Sequence, residues 1–163
     1  VATGIFGIGR KIPMNRVNDL GQREGYWRDS LGEGITHELY YKGGKKDGLF
    51  KCFIRNELFL FGEYTADNIS GTWYMFGDEG ELRCTIDSIE LNKDSIYTGY
   101  CRIFCKYKCY CADYYPSGAV KSEGYMVCDE DFMVDFWEIG EWKYYDESGN
   151  LIKTKDYGDR RTP

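Results

Sequence analysis

The sequence predicts an all-β fold: a single domain of stacked antiparallel β-hairpins forming a curved, elongated sheet or open half-barrel. Three observations predict it. Aromatic residues make up 17 % of the chain, led by 15 Tyr and 9 Phe. Glycine outnumbers proline, 20 to 3. A glycine–aromatic pair also recurs at a fixed interval. Aromatics suit pleated, half-buried surfaces, and glycine punctuates tight turns. At 163 residues the chain has the length of one domain and can bury a substantial core.

The interval comes first, because repeats decide architecture before local propensity does. A glycine stands two residues before a large aromatic in Gly25-Tyr26-Trp27, Gly48-Leu49-Phe50, Gly71-Thr72-Trp73 and Gly140-Glu141-Trp142. The first three glycines are 23 residues apart. Gly140 follows Gly71 by 69 residues, three times that interval, although positions 94 and 117 carry no clear copy. The expected repeat anchors are therefore Gly25, Trp27, Gly48, Phe50, Gly71, Trp73, Gly140 and Trp142. The glycine is expected to leave space on the sheet for a neighbouring ring or backbone.

The elements follow in chain order. Residues 1–14, with Gly4-Ile5-Phe6-Gly7-Ile8-Gly9-Arg10, read as an irregular arm. They lack the helix-opening Gly-x-Gly-x-x-Gly and the Gly-Lys-Ser/Thr of a phosphate loop. Residues 15–157 read as the repeat domain, and 158–163 as a tail. In three of the four copies an aromatic lies five residues after the glycine, at Phe53, Phe76 and Tyr145, and Ser30 breaks the rule in the first. Turns follow at Gly77-Asp78-Glu79-Gly80, Pro116-Ser117-Gly118 and Asp146-Glu147-Ser148-Gly149, whose residues accept positive φ or bond their own backbone. Leu82, Cys84 and Ile86 alternate with Arg83 and Thr85, the period of a half-buried strand. Leu58-Phe59-Leu60-Phe61 is apolar on both faces and predicts a covered, central strand. The best helix candidate, residues 67–70, is too short to be more than a turn. One hairpin is marginal in water, so the aromatics must stack from unit to unit to be buried.

These residues resemble the MORN-variant repeats of bacterial proteins of the YwqK family, labelled antitoxin components. Asn18-Asp19-Leu20-Gly21-Gln22-Arg23-Glu24-Gly25-Tyr26-Trp27 is similar to that family's first repeat. Gly140-Glu141-Trp142-Lys143-Tyr144-Tyr145-Asp146-Glu147-Ser148-Gly149-Asn150-Leu151 is similar to its last. The resemblance spans about residues 15–157 and implies an array of hairpins with no catalytic residues and an antitoxin-like role. The chain departs from the pattern near residues 90–111 and 127–136, which read as insertions or decayed repeats.

Composition narrows the function. A net charge of −6 argues against nucleic acid, and no apolar run is long enough for a membrane helix. Seven cysteines cannot all pair internally, which favours buried thiols in a reduced, cytoplasmic compartment. Export stays open because the chain starts without a Met. The densest thiol group is Cys101, Cys105, Cys109 and Cys111, spaced C-x3-C-x3-C-x-C. Zinc knuckles use C-x2-C pairs, and on a strand Cys105 and Cys109 stand ~13 Å apart. The expectation is a buried face of small residues, with no metal and no cofactor, a disulfide to Cys52, Cys84 or Cys128 being one alternative. His37 is the only histidine and reads as a polar strand residue rather than the base of a Cys–His pair. Asp129, Glu130, Asp131 and Asp135 lack calcium-loop spacing and read as a solvated loop.

The expected function is a non-catalytic module for protein–protein interaction, antitoxin-like by resemblance, with a protein partner. The alternative is a carbohydrate- or cell-envelope-binding module using surface Trp and Tyr. Coplanar exposed rings would favour sugar. An uncapped edge strand or broad apolar patch would favour a protein. A pocket joining His37 to a thiol would favour an enzyme.

Overall fold

A computed structural model describes residues 14–93, 105–129 and 136–158. The strands run β1 (Arg16–Val17), β2 (Arg23–Gly32), β3 (Ile35–Lys42), β4 (Lys45–Ile54), β5 (Glu57–Thr65), β6 (Asn68–Phe76), β7 (Leu82–Leu91), β8 (Tyr107–Tyr114), β9 (Val120–Cys128), β10 (Phe136–Tyr145) and β11 (Leu151–Asp156). They form one antiparallel sheet of 11 strands in sequence order, open at β1 and β11. The fold is thus all-β, built of stacked hairpins and not closed into a barrel. Every connection among the described strands joins sheet neighbours, as short turn-rich links require.

Two kinds of turn do the joining. Gly43-Gly44, Arg55-Asn56 and Ala66-Asp67 have positive φ at both residues, the hairpin turn that matches strand twist. The other kind spans four residues, as in Asp146-Glu147-Ser148-Gly149, where the Gly149 N–H donates to the Asp146 carbonyl at 3.0 Å. Gly80 and Gly118 close the same loop on Gly77 and Tyr115. Residues 67–70 are not a turn throughout: Ala66-Asp67 turns, and Asn68 opens β6.

The register lays one row of side chains across the sheet. Trp27 faces Leu39, Leu39 faces Phe50, and Phe50 faces Gly62. Trp73 then faces Ile86, Ile86 faces Cys111, and Cys111 faces Gly124. Trp142 ends the row opposite Lys155. Trp73 and Trp142 are 1 % and 4 % exposed, and with Phe50, Leu39 and Ile86 they make the core on one face. Trp27 is only half-buried. Its Nε1 donates to the Arg16 carbonyl at 3.1 Å, and the Arg23 guanidinium lies 4.3 Å over its ring.

Three of the four anchor glycines do not act as expected, whereas Gly48 does: a Cβ there would stand 3.0 Å from the Cβ of Tyr40. An added Cβ would meet nothing within 4 Å at Gly25 or Gly140, and only the Glu63 carboxylate at Gly71. Their common property is positive φ, 65° at Gly71 and 60° at Gly140, and at these two a register shift lies opposite or within the strand. Gly71 and Gly140 are thus bulge residues that set the pitch of the next aromatic. The space for the rings comes from Gly62 and Gly124. A Cβ on Gly62 would fall inside the Trp73 indole, and one on Gly124 would stand 2.5 Å from the Trp142 ring.

The 69-residue interval is also corrected. Between Gly71 and Gly140 lie two strand pairs, β6–β7 and β8–β9, not three units. Extra chain at 94–104 and 130–135 makes up the length. In β8 the position of the ring is taken by Cys111. The strand at Leu58–Phe61 is central, but only Leu60 is fully buried, because the opposite face is half open. That face carries aromatic pairs instead, among them Tyr26–Tyr40, Phe61–Tyr74 and Tyr110–Tyr125. The arm residues 1–13, the tail residues 159–163, Cys101 and the acidic group beyond Asp129 lie outside the described residues.

Candidate functional site

Two features of the described residues offer a surface for function: a groove beside β8 and the free edge of β11. The groove lies on the core face where the row of rings is interrupted. It encloses about 360 Å³ between Met75 of β6, Cys84 and Ile86 of β7, Cys111 and Asp113 of β8, Met126 of β9, and Phe136 and Trp142 of β10. A second lobe of about 330 Å³ shares Met75, Cys84 and Asp113 and runs on to Phe59 and Phe76. A cavity of this size, mostly apolar with a few polar groups, is the usual form of a ligand site. Polar character comes from Asp113, Lys121, Ser122 and Glu138. The Ser122 hydroxyl donates to Asp113 Oδ2 at 2.9 Å and fixes that carboxylate.

The strands bring four thiols together in two pairs. Cys84 and Cys111 have their sulfurs 3.2 Å apart, and Cys109 and Cys128 theirs 3.5 Å apart. All four are buried and free. Hydrogen bonding to Cys84, then burial, pushes the Cys111 thiol far above its ordinary range, and Cys128 and burial do the same to Cys109. Cys111 and Cys109 are thus neutral thiols, not activated nucleophiles. Cys105 belongs elsewhere: it packs with Val127, Ile139 and Trp137 in a small separate cluster. The sequence cluster is therefore split, and Cys84, distant in the chain, is the true neighbour of Cys111.

His37 sits in β3 with Asp29 and Cys52 as register partners, its ring edge-on to Phe50 at 5.0 Å. Burial raises the Cys52 pKa, which keeps it protonated. Neither residue lines the groove. Of the eight repeat anchors, only Trp142 reaches the groove, and the other seven serve the sheet itself.

The edge strand β11 is exposed at all six residues, with Leu151 and Ile152 at 55 % and 63 %. Among the described residues its neighbour is β10 alone. Tyr157 donates its N–H back to the Gly140 carbonyl at 2.8 Å. Strand alternation then turns the N–H groups of Lys153 and Lys155 inward and that of Thr154 outward, while the register slips at Ile152, opposite Tyr144 and Tyr145. Lys153 and Lys155 lie with their ammonium groups 4.5 Å and 3.9 Å from the Tyr144 and Tyr157 rings, so both charges sit over the face. The exposed rings of the opposite face make no flat platform: Tyr110 and Tyr125 meet at 80°, Tyr26 and Tyr40 at 53°.

Among the described residues no helix is long and apolar enough to cross a membrane. No family model matches the chain, and neither a curated protein nor a solved structure matches it.

Proposed function

We propose that the chain is a non-catalytic module that binds a protein partner by taking an extended segment of it onto the free edge of β11. The observation that carries this is the open edge itself: six exposed residues, with an outward N–H at Thr154 by strand alternation and wet apolar side chains at Leu151 and Ile152. An unpaired strand edge is a template for another strand, which gives affinity through the main chain and selectivity through alternate side chains. Lys153 and Lys155 share one face of β11, so the matching segment carries carboxylates at alternate positions and an apolar residue opposite Ile152. The same two lysines disfavour pairing of two copies by like charge. Antagonism of the partner, as the YwqK resemblance implies, is one use of such capture.

The sugar reading has less behind it. Trp73 and Trp142 are interior, and the exposed Tyr pairs are tilted or edge-to-face rather than coplanar. An enzyme reading has a groove, but its Cys111 thiol is pushed up and held protonated, and His37 does not line it.

Selection from a random-peptide display library on the immobilised chain tests the proposal. The expected winners are extended sequences with alternate acidic residues that lose binding to Thr154→Pro. That substitution removes an outward N–H and leaves the ladder to β10 intact, so far-UV circular dichroism and the unfolding midpoint should hold. Peptides that bind the variant and the parent equally, or winners without acidic alternation, would refute the edge. Binding on a glycan array with no peptide winners would favour the sugar reading instead.

A further inference from the structure

We infer that Cys84, Cys111 and Asp113 form a binding site for a thiophilic divalent cation, zinc(II) foremost, on the wall of the groove. This goes beyond the edge proposal and does not depend on it. The three donor atoms all lie within 4.8 Å of one another, and this is the one such group of three or more His, Cys, Asp or Glu side chains among the described residues. The register explains the convergence. Cys84 stands opposite Asp113 across β7 and β8, and Cys111 is two residues along β8 on the same face. Three side chains of two adjacent strands therefore point at one spot.

The chemistry of the set selects the ion. Zinc binds thiolate at about 2.3 Å and carboxylate at about 2.0–2.2 Å. Tetrahedral donors around it thus stand roughly 3.5–3.8 Å apart. The sulfurs are at 3.2 Å and reach that separation by small side-chain rotations. Two thiolates and a carboxylate around a divalent ion leave one negative charge, at the wall of a groove that Lys121 also lines. A monovalent ion would leave two negative charges in an apolar wall, which is costly. Asp113 is already oriented by Ser122 through the 2.9 Å hydrogen bond, the supporting contact that ligating carboxylates commonly have. Three protein donors leave the fourth position facing the groove, open to water or to a group of a bound ligand.

A disulfide is the rival use of the pair, and the register disfavours it. Cys84 and Cys111 are diagonal, since Ile86 and not Cys84 faces Cys111. Diagonal Cα atoms stand about 7–8 Å apart in a regular sheet, beyond the roughly 4.4–6.8 Å span of a disulfide. Cys109 and Cys128 are diagonal as well, but among the described residues no carboxylate completes a triad with them. They make an internal control.

The test is zinc(II) titration of the reduced full chain by native mass spectrometry, with cobalt(II) as the spectroscopic probe. One ion per chain is expected, and cobalt should give thiolate-to-metal charge transfer and tetrahedral ligand-field bands. Cys84→Ser and Cys111→Ser should each lose the stoichiometric ion. Ser122→Ala should weaken binding about 10-fold or more, as removal of an orienting partner does. Cys109→Ser and Cys128→Ser should bind as the parent does. Should a cysteine variant fail to fold by circular dichroism, the half-buried Asp113→Asn replaces it, again with lost or weakened binding expected. No stoichiometric binding by the parent, no thiolate band, or binding that survives both Cys84→Ser and Cys111→Ser would overturn the site.

Discussion

Gly62→Ala probes the interlock between neighbouring strands where it is tightest. The backbone of Gly62 is not left-handed, so alanine suits it, and alanine in a strand interior gains about 0.5–1 kcal/mol over glycine. The new methyl, however, would enter the Trp73 indole. That ring is held by Phe50 and Tyr64 at 5.5 and 5.3 Å between centroids, and its Nε1 donates to the Ser70 carbonyl at 3.1 Å. Forcing it aside costs about 1–3 kcal/mol of overpacking, and losing the indole hydrogen bond adds about 1 kcal/mol. Less the backbone gain, Gly62→Ala should destabilise by about 2 kcal/mol. Trp73→Ala alone should cost about 3–5 kcal/mol. In the Trp73→Ala background the methyl finds vacated space, and Gly62→Ala becomes neutral or stabilising by about 0.5 kcal/mol. The coupling between the two sites is then about 2–3 kcal/mol. Urea unfolding followed by circular dichroism measures it through midpoints at constant slope. Gly71→Ala is the control. It loses about 1–2 kcal/mol through its left-handed backbone, equally in both backgrounds. Equal costs of Gly62→Ala with and without Trp73 would refute the interlock.

Two pH dependences follow from the hydrogen-bonded side chains. Burial, then hydrogen bonds to Glu38 and Glu123, push the Tyr26 and Tyr110 hydroxyls up to about 12. The folded state keeps protons that the unfolded chain gives up near 10, so stability should be level below pH about 10 and fall toward 12. Phenolate absorbance should show these two titrating above the ordinary tyrosine value, and Glu123→Gln should bring Tyr110 back toward it. Asp146 behaves oppositely. Hydrogen bonds from Asn150, through its side chain and N–H, and from the Ser148 N–H hold its carboxyl below the usual range. Its contribution is complete above the ordinary aspartate pKa and is lost as pH falls through the depressed one. Asp146→Asn should flatten that acid limb of the unfolding midpoint.

The hairpin array was legible because its signals are local. The glycine–aromatic interval, the Asp- and Ser-bearing turns and the alternation of Leu82, Cys84 and Ile86 each depend on a few neighbouring residues. The roles inside the array were less legible. Gly25, Gly71 and Gly140 stand before the rings in sequence, but what matters there is backbone φ, which composition does not express. Gly62 and Gly124 carry the rings and stand one strand earlier, across a register that only pairing reveals. The thiol pairs were hidden for the same reason. Spacing along one strand put Cys105, Cys109 and Cys111 on one face and showed nothing of their cross-strand neighbours, whereas β7 supplies Cys84 and β9 supplies Cys128.

The position of the groove follows from this pairing of sizes. Along the row each ring on an even-numbered strand meets a smaller or partner residue on the strand before it: Leu39 with Phe50, Gly62 with Trp73, Gly124 with Trp142. At β7 and β8 the order is inverted, with Ile86 before Cys111. The large residue is now on the odd strand, and no ring of β8 fills the space that Trp73 and Trp142 fill in their own units. Met75 and Met126 border that space without closing it, as flexible thioethers do. The same substitution of a thiol for a ring that opens the groove also sets Cys111 beside Cys84 and Asp113. A cavity and a donor set thus arise from one departure from the repeat. If that is the cause, Cys111→Phe should restore the ring, fill the groove and abolish ion binding, and it should leave the β11 edge untouched.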